Sequence, residues 1–154
     1  MPPERSEGEL PQAVLFACNL NAVRSPIAAG LMRLRWGSRV FVDCCGLRRG
    51  EEVDPFAVAA MDELGVDLSR HRPKSFDELE DGSFDLVVSL TPEAQHRAVE
   101  LSRGRAVEVE YWPTPDPTLV EGARSVRLEA YRHMRDGLDR RLRARFARAA
   151  GFGG

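Results

Sequence analysis

The stretch at positions 13–36, AVLFACNLNAVRSPIAAGLMRLRW, puts a thiol, a guanidinium and a hydroxyl into one short turn. Cys18 follows an apolar run that suits a buried strand, and Pro26 stands near the start of an apolar helix. Between them lies Cys-x5-Arg-Ser. A turn of this size, set between a strand and a helix, can aim the backbone N–H groups of Asn19, Leu20, Asn21, Ala22 and Val23 inward as an anion nest. The helix behind it adds its positive end. Arg24 can grip two oxygens of an anion through its planar fork and stays charged at any working pH. Cys18 would sit beneath that anion, where the same donors favour the thiolate. A thiolate under a phosphoryl group is placed for in-line attack on phosphorus. Ser25 can donate to the sulfur, and Asn21 tolerates a left-handed backbone.

A departing alkoxide or phenolate needs a proton from another loop. Asp116, in Pro115-Asp116-Pro117, is the expected general acid, held on a backbone stiffened by its flanking prolines. Asp54-Pro55 has the same local form and reads as a helix cap instead.

These residues need elements to hold them. Val14–Ala17 is expected as a strand, then a helix from Pro26 to Trp36 and a strand over Val40–Val42 that ends at Asp43-Cys44-Cys45-Gly46. A helix runs from Pro55 toward Gly65. Phe84–Leu90 is a third strand, a helix starts at Thr91-Pro92-Glu93, and Ala106–Val109 is a fourth strand. A proline-rich loop at 111–120 leads to a long helix over Ala123–Ala149, with Tyr131, Met134, Leu138, Leu142 and Phe146 on its apolar stripe. Alternating strands and helices imply right-handed crossovers and a parallel sheet. Ligands in such sheets sit beyond the carboxyl ends of the strands. Cys18, Cys44, Leu90 and the 111–120 loop all fall there.

Composition limits the alternatives. The 154 residues fit one domain, with 43% hydrophobic and 30% charged residues and a formal net charge of −2. That balance gives no pull toward nucleic acid or anionic membranes. The nine arginines from Arg124 to Arg148 read as a solvated face, although such a cluster can attract an acidic partner. Three cysteines, two of them adjacent, do not form a disulfide framework, so a reducing cytoplasm is expected. No run is long and apolar enough to span a membrane. Cys44-Cys45 lacks zinc-knuckle spacing, and neither metal nor cofactor is expected. Residues 1–11 are expected as a disordered tail and 12–150 as the folded domain.

Over positions 12–149 the chain resembles the low-molecular-weight protein tyrosine phosphatase family, which also includes arsenate reductases. The resemblance rests on the first strand, CNLNAVRSP, DLSRHRPKSF, FDLVVSL before a helix, and the late PDP, in the family's order. It implies a single-domain, three-layer α/β fold with a four-stranded parallel sheet of order 2-1-3-4. Cys18 becomes the nucleophile, Arg24 the phosphate clamp, Ser25 the thiolate partner, Asn21 the loop-shaping residue and Asp116 the acid. His71 and Cys44 join the network that supports Asn21. The ligand is then phosphate or another oxyanion, and the substrate a phosphorylated protein or small phosphomonoester. Arsenate reduction, or oxyanion sensing without turnover, are the alternatives.

The sequence departs from the family pattern C-x-G-N-x-C-R-S. Leu20 replaces its glycine, which predicts a reshaped cup, and Val23 replaces its second cysteine. Cys44 stands where many members have serine. Thr118-Leu119 replaces the tyrosines that wall the mouth in eukaryotic members, and Trp112 is the residue that could substitute for that wall. The segment after the third strand, VVSLTPEAQHRAVEL, has no cysteine for a three-thiol relay. Cys44 or Cys45 would be the remaining partner for a disulfide with Cys18.

Overall fold

The computed structural model describes residues 8–80 and 82–147. Four parallel strands form one sheet: β1 (Ala13–Cys18), β2 (Phe41–Gly46), β3 (Leu86–Ser89) and β4 (Glu108–Tyr111), in the order β2-β1-β3-β4. Helices α1 (Arg24–Trp36), α2 (Pro55–Asp62), α3 (Pro92–Ser102) and α4 (Arg124–Arg145) complete it, with single 3-10 turns at Phe76–Glu78 and Pro117–Leu119.

The sheet divides the core in two. Val14, Phe16 and Cys18 of β1 face the side covered by α1, α2 and α4, with Met61, Tyr131, Leu142 and Phe146. Leu15 and Ala17 face the other side with Phe76, Phe84, Ala94 and Ala98, under α3. β1 is buried on both faces because it lies in the middle of the sheet, which explains its unbroken apolar run. The stripe predicted for the last helix is all inside: Tyr131, Met134, Leu138, Leu142 and Phe146 are each under 5% exposed. The expected continuation to Ala149 lies partly outside the described residues, as do residues 1–7 of the expected tail. Pro11 is buried, and Leu10 packs on the main core.

Three boundaries differ from expectation. β2 does not stop at Val42. It continues through Asp43-Cys44-Cys45-Gly46, because each residue pairs with β1 as far as Cys18↔Gly46. The turn-forming character of Asp43 and Gly46 yields to that ladder. β4 lies two residues later than Ala106–Val109, since the turn at Gly104 (φ 74°) uses the residues before it. α1 starts at Arg24 rather than Pro26. Pro26 is tolerated at the third helical position because N–H groups of the first turn lack an intrahelical acceptor in any case. Arg24 and Ser25 therefore belong to the helix's first turn, with their N–H groups aimed at the loop.

Candidate active site

The loop between β1 and α1 is shaped from outside. The carbonyls of Cys18, Asn19, Leu20 and Ala22 accept from the N–H groups of Leu47, Arg48, Gly50 and Asp54 at 3.1, 3.0, 2.9 and 3.0 Å. The Asn21 carbonyl lies 3.0 Å from His71 Nε2. Five successive carbonyls are thus turned outward. A trans peptide sends its N–H the opposite way, and no described peptide is cis. The N–H groups of residues 19–23 therefore face the inside of the turn, together with the start of α1. The segment after β2 must come very close for this. At Gly46 a Cβ would lie 2.8 Å from the Asn19 carbonyl oxygen and from the Asn21 nitrogen, so only glycine fits.

Cys18 forms the floor, 3% exposed. Its Sγ is 2.9 Å from Ser25 Oγ and accepts from the Asn21 N–H at 3.3 Å. Ser25 Oγ in turn accepts from Asn21 Nδ2 at 2.9 Å and lies 3.3 Å from the Cys45 carbonyl. Its single proton has two acceptors, the sulfur and that carbonyl. It can serve the sulfur when the sulfur is anionic and turn to the carbonyl when it is not.

Asn21 holds the turn. It is fully buried at φ 58°, the one non-glycine in the left-handed region among the described residues. Its Oδ1 accepts from the Lys74 N–H at 2.9 Å and lies 3.1 Å from His71 Nε2. His71 Nε2 faces two acceptor oxygens of Asn21, so that nitrogen carries the proton. Burial holds the His71 imidazole below its ordinary pKa, helped by the nearby charges of Lys74 and Arg33 and opposed by its bond to Asn21. Lys74 Nζ is fixed by Asp43 at 2.6 Å. Asn19 is tied to the start of α3 by Thr91 Oγ1, which donates to Asn19 Oδ1 at 2.7 Å, and the same oxygen caps α3 by accepting from Ala94 N–H.

At the mouth, Arg24 donates from Nη1 to the Thr114 carbonyl at 3.0 Å, and its Nη2 is 4.0 Å from Asp116 Oδ2. Asp116 Oδ1 is occupied by the N–H and hydroxyl of Thr118, at 3.0 and 2.6 Å. Its other oxygen is the one turned toward Arg24. The structure thus brings Cys18, Asn19, Leu20, Asn21, Ala22, Val23, Arg24, Ser25 and Asp116 to one sheet end, with His71 and Cys44 behind them.

Three expectations from the sequence are corrected. Leu20 does not strain the cup, since its φ is negative and its side chain points out, 43% exposed. Trp112 forms no wall at the mouth: it is 3% exposed, packs edge-on against Phe16 at 6.5 Å and donates from Nε1 to Glu110. The backbone ladder continues past β4 through the Trp112 N–H to the Ser89 carbonyl, so Trp112 keeps the strand's alternation and turns into the core. Cys45 does not share a face with Cys18. Cys18 and Cys44 lie in the α1-side cluster and Cys45 under α3, with the sheet between them. Burial pushes the Cys44 thiol up to about 11, against the bond from Asn21. It pushes Cys45 higher still, with Cys44 and Cys18 adding to the effect. All three thiols are free.

The supporting roles of several residues at the loop left no trace in the sequence. Lys74 and Thr91 act on residues 53 and 72 positions away. Asp54 was legible as a cap, and its Oδ1 does accept from Phe56 N–H. Its other roles, donating its own N–H to Ala22 and accepting from Tyr131 Oη at 2.9 Å, were not legible.

The fold and the loop define a class, parallel α/β proteins whose first strand ends in a cysteine-bearing anion cup. The family model described as low molecular weight phosphotyrosine protein phosphatase matches residues 13–149, and the chain belongs to that family, whose members are enzymes. An arsenate reductase of Halalkalibacterium halodurans is 28% identical over 132 residues, 86% of this chain and 93% of that protein. A glutaredoxin arsenate reductase of Synechocystis is 32% identical over 77 residues, half of this chain and 58% of that protein. The crystal structure of a YwlE mutant from Bacillus subtilis superposes with a TM-score of 0.73 at 22% identity. It covers 89% of this chain and 97% of that one, a likeness of fold.

Proposed function

We propose that this protein is a cysteine-dependent phosphomonoesterase working through a cysteinyl-phosphate. The observation that carries the reading is Cys18 Sγ on the floor of an N–H-lined cup, 2.9 Å from Ser25 Oγ. In this mechanism the phosphoryl oxygens of the substrate lie on the loop N–H groups and the Arg24 fork. The Cys18 thiolate attacks phosphorus, an S–P bond forms and the ester P–O bond breaks. Asp116 gives its proton to the departing oxygen. Water then attacks phosphorus and loses its proton to Asp116. The S–P bond breaks, phosphate leaves, and the Ser25 hydroxyl turns back to the restored thiolate.

Arsenate reduction is the second reading, favoured by the curated name of a relative that matches most of the chain. It requires a reducing thiol for oxidised Cys18. Cys45 lies across the sheet and Cys44 is buried and protonated near neutrality, so the reductant would come from another molecule.

The test is hydrolysis of p-nitrophenyl phosphate by wild type and Cys18→Ser, from about pH 5 to 8, in parallel with arsenate reduction driven by glutathione. Wild-type hydrolysis that vanishes in Cys18→Ser supports the proposal. Hydrolysis that survives in Cys18→Ser removes thiol catalysis. Arsenate reduction without hydrolysis selects the second reading. Phosphate binding with neither activity leaves an oxyanion sensor.

A further inference from the structure

α4 opens with Arg124 and Arg127, and its first turn holds no acidic residue and no side-chain cap. Positive charge at a helix N-terminus opposes the helix dipole. Both guanidiniums nevertheless gather over one ring, Phe56, at 5.1 and 4.6 Å from its centroid. Further along the helix, Arg132, Arg135, Arg143 and Arg145 each meet a carboxylate. Among the described residues Arg124 and Arg127 have no such partner: Glu121 pairs with neither, and Glu129 is paired with Arg132. The aromatic shelf holds the two like charges side by side, and without a carboxylate partner they leave positive charge available to an anionic ligand.

The shelf adjoins the cup. Phe56 stacks on Tyr131 at 5.2 Å, and its N–H donates to Asp54, whose own N–H holds the Ala22 carbonyl of the loop. α4 also packs against the Pro117–Leu119 turn that follows Asp116, which places the shelf on the acid-loop side of the mouth. Beyond Leu20 the charge pattern is different. Arg49 is already paired with Glu78, and Glu51 and Glu52 line the groove beside His71 and Arg72.

We propose that Arg124 and Arg127 on Phe56 dock the carboxylate side chains that flank the phosphorylated residue of a protein substrate. This rests on the phosphatase reading and specifies its substrate as an acidic phosphoprotein segment. The acidic residues run toward α4, away from Glu51 and Glu52.

The experiment compares wild type with the double variants Arg124→Gln/Arg127→Gln and Arg124→Glu/Arg127→Glu. The substrates are p-nitrophenyl phosphate and two phosphotyrosine peptides of equal length, one with Asp and Glu flanks and one with Asn and Gln flanks. Kinetics are measured at about 50 and 300 mM salt. The small ester is expected to react within about twofold in all three proteins, since neither arginine touches the cup. Wild type is expected to prefer the acidic peptide by roughly tenfold in kcat/KM at low salt. That preference should disappear in the Gln pair, invert in the Glu pair and shrink at high salt. Equal use of both peptides by wild type, turnover of neither peptide, or a preference that survives in the Gln pair overturns the inference. Failure of wild type to hydrolyse p-nitrophenyl phosphate is a different result, and it removes the phosphatase reading along with the docking built on it.

Discussion

Asn21 is the residue on which the cup's shape depends most directly. Its backbone occupies a region that costs most side chains about 1–2 kcal/mol, and its amide joins Ser25, His71 and Lys74. Two substitutions separate these contributions. Asn21→Gly relieves the backbone but removes the bonds, and Asn21→Ala loses both. Asn21→Ala is expected to lower stability by about 2–3 kcal/mol and Asn21→Gly by about 1–2 kcal/mol, read from urea midpoints. Equal losses would show that the φ carries nothing. Asp116 permits a chemical test at the same scale. Asp116→Asn is expected to lower kcat/KM for alkyl phosphates by about 10²–10⁴-fold and for p-nitrophenyl phosphate far less, because kcat/KM covers only the steps up to departure of the leaving group, where only the poor leaving group needs the proton. A uniform loss across leaving groups would assign that proton elsewhere. Cys18, Arg24 and Ser25 were legible because they share one turn, where spacing alone places them. Trp112 was misplaced because its setting follows from a ladder bond to Ser89, which no local pattern encodes.

At the scale of elements, the cup depends on how helices and strands are tied behind it. Asp54 links three of them: its N–H holds the loop at Ala22, its Oδ1 caps α2 and its Oδ2 receives the Tyr131 hydroxyl of α4. Burial raises the Tyr131 pKa, and the Asp54 bond adds to this, so the phenol remains the donor at every working pH. Asp54→Ala is expected to cost about 1–2 kcal/mol through the lost cap and partner, and Tyr131→Phe about 1 kcal/mol. Because one bond is shared, the double variant should be little less stable than Asp54→Ala alone. Strict additivity in thermal or urea unfolding would disprove the link. The strand and helix order was readable from alternating apolar runs and Asp-Pro and Thr-Pro starts. Strand ends were not, since β2 owes its last four residues to pairing with β1, and β4 its start to the turn at Gly104.

For the whole molecule, the half-buried imidazole behind the cup couples chemistry to acid stability. His71 bridges Asn21, from the first loop, to the segment leading to Lys74, and its surroundings include Lys74, Arg33 and Asp43. Its folded pKa is held below the ordinary 6.5, chiefly by burial. The unfolded chain therefore binds this proton more readily. The sign follows from linkage: the contribution is complete above the unfolded value and is lost as pH falls through the folded one. Stability is expected to be flat near pH 8 and to decline on acidification below about 6.5, before carboxylates begin to protonate. His71→Gln keeps an N–H donor for Asn21 without a titrating ring. In that variant the midpoint of urea unfolding should lose its dependence on pH between about 7.5 and 5.5, while wild type keeps it. The pH at which p-nitrophenyl phosphate turnover falls on the acid side should move with the wild-type stability curve only if loop integrity limits activity. A decline of equal steepness in the urea midpoints of both proteins would remove His71 as the acid-sensitive link between the loop and the rest of the fold.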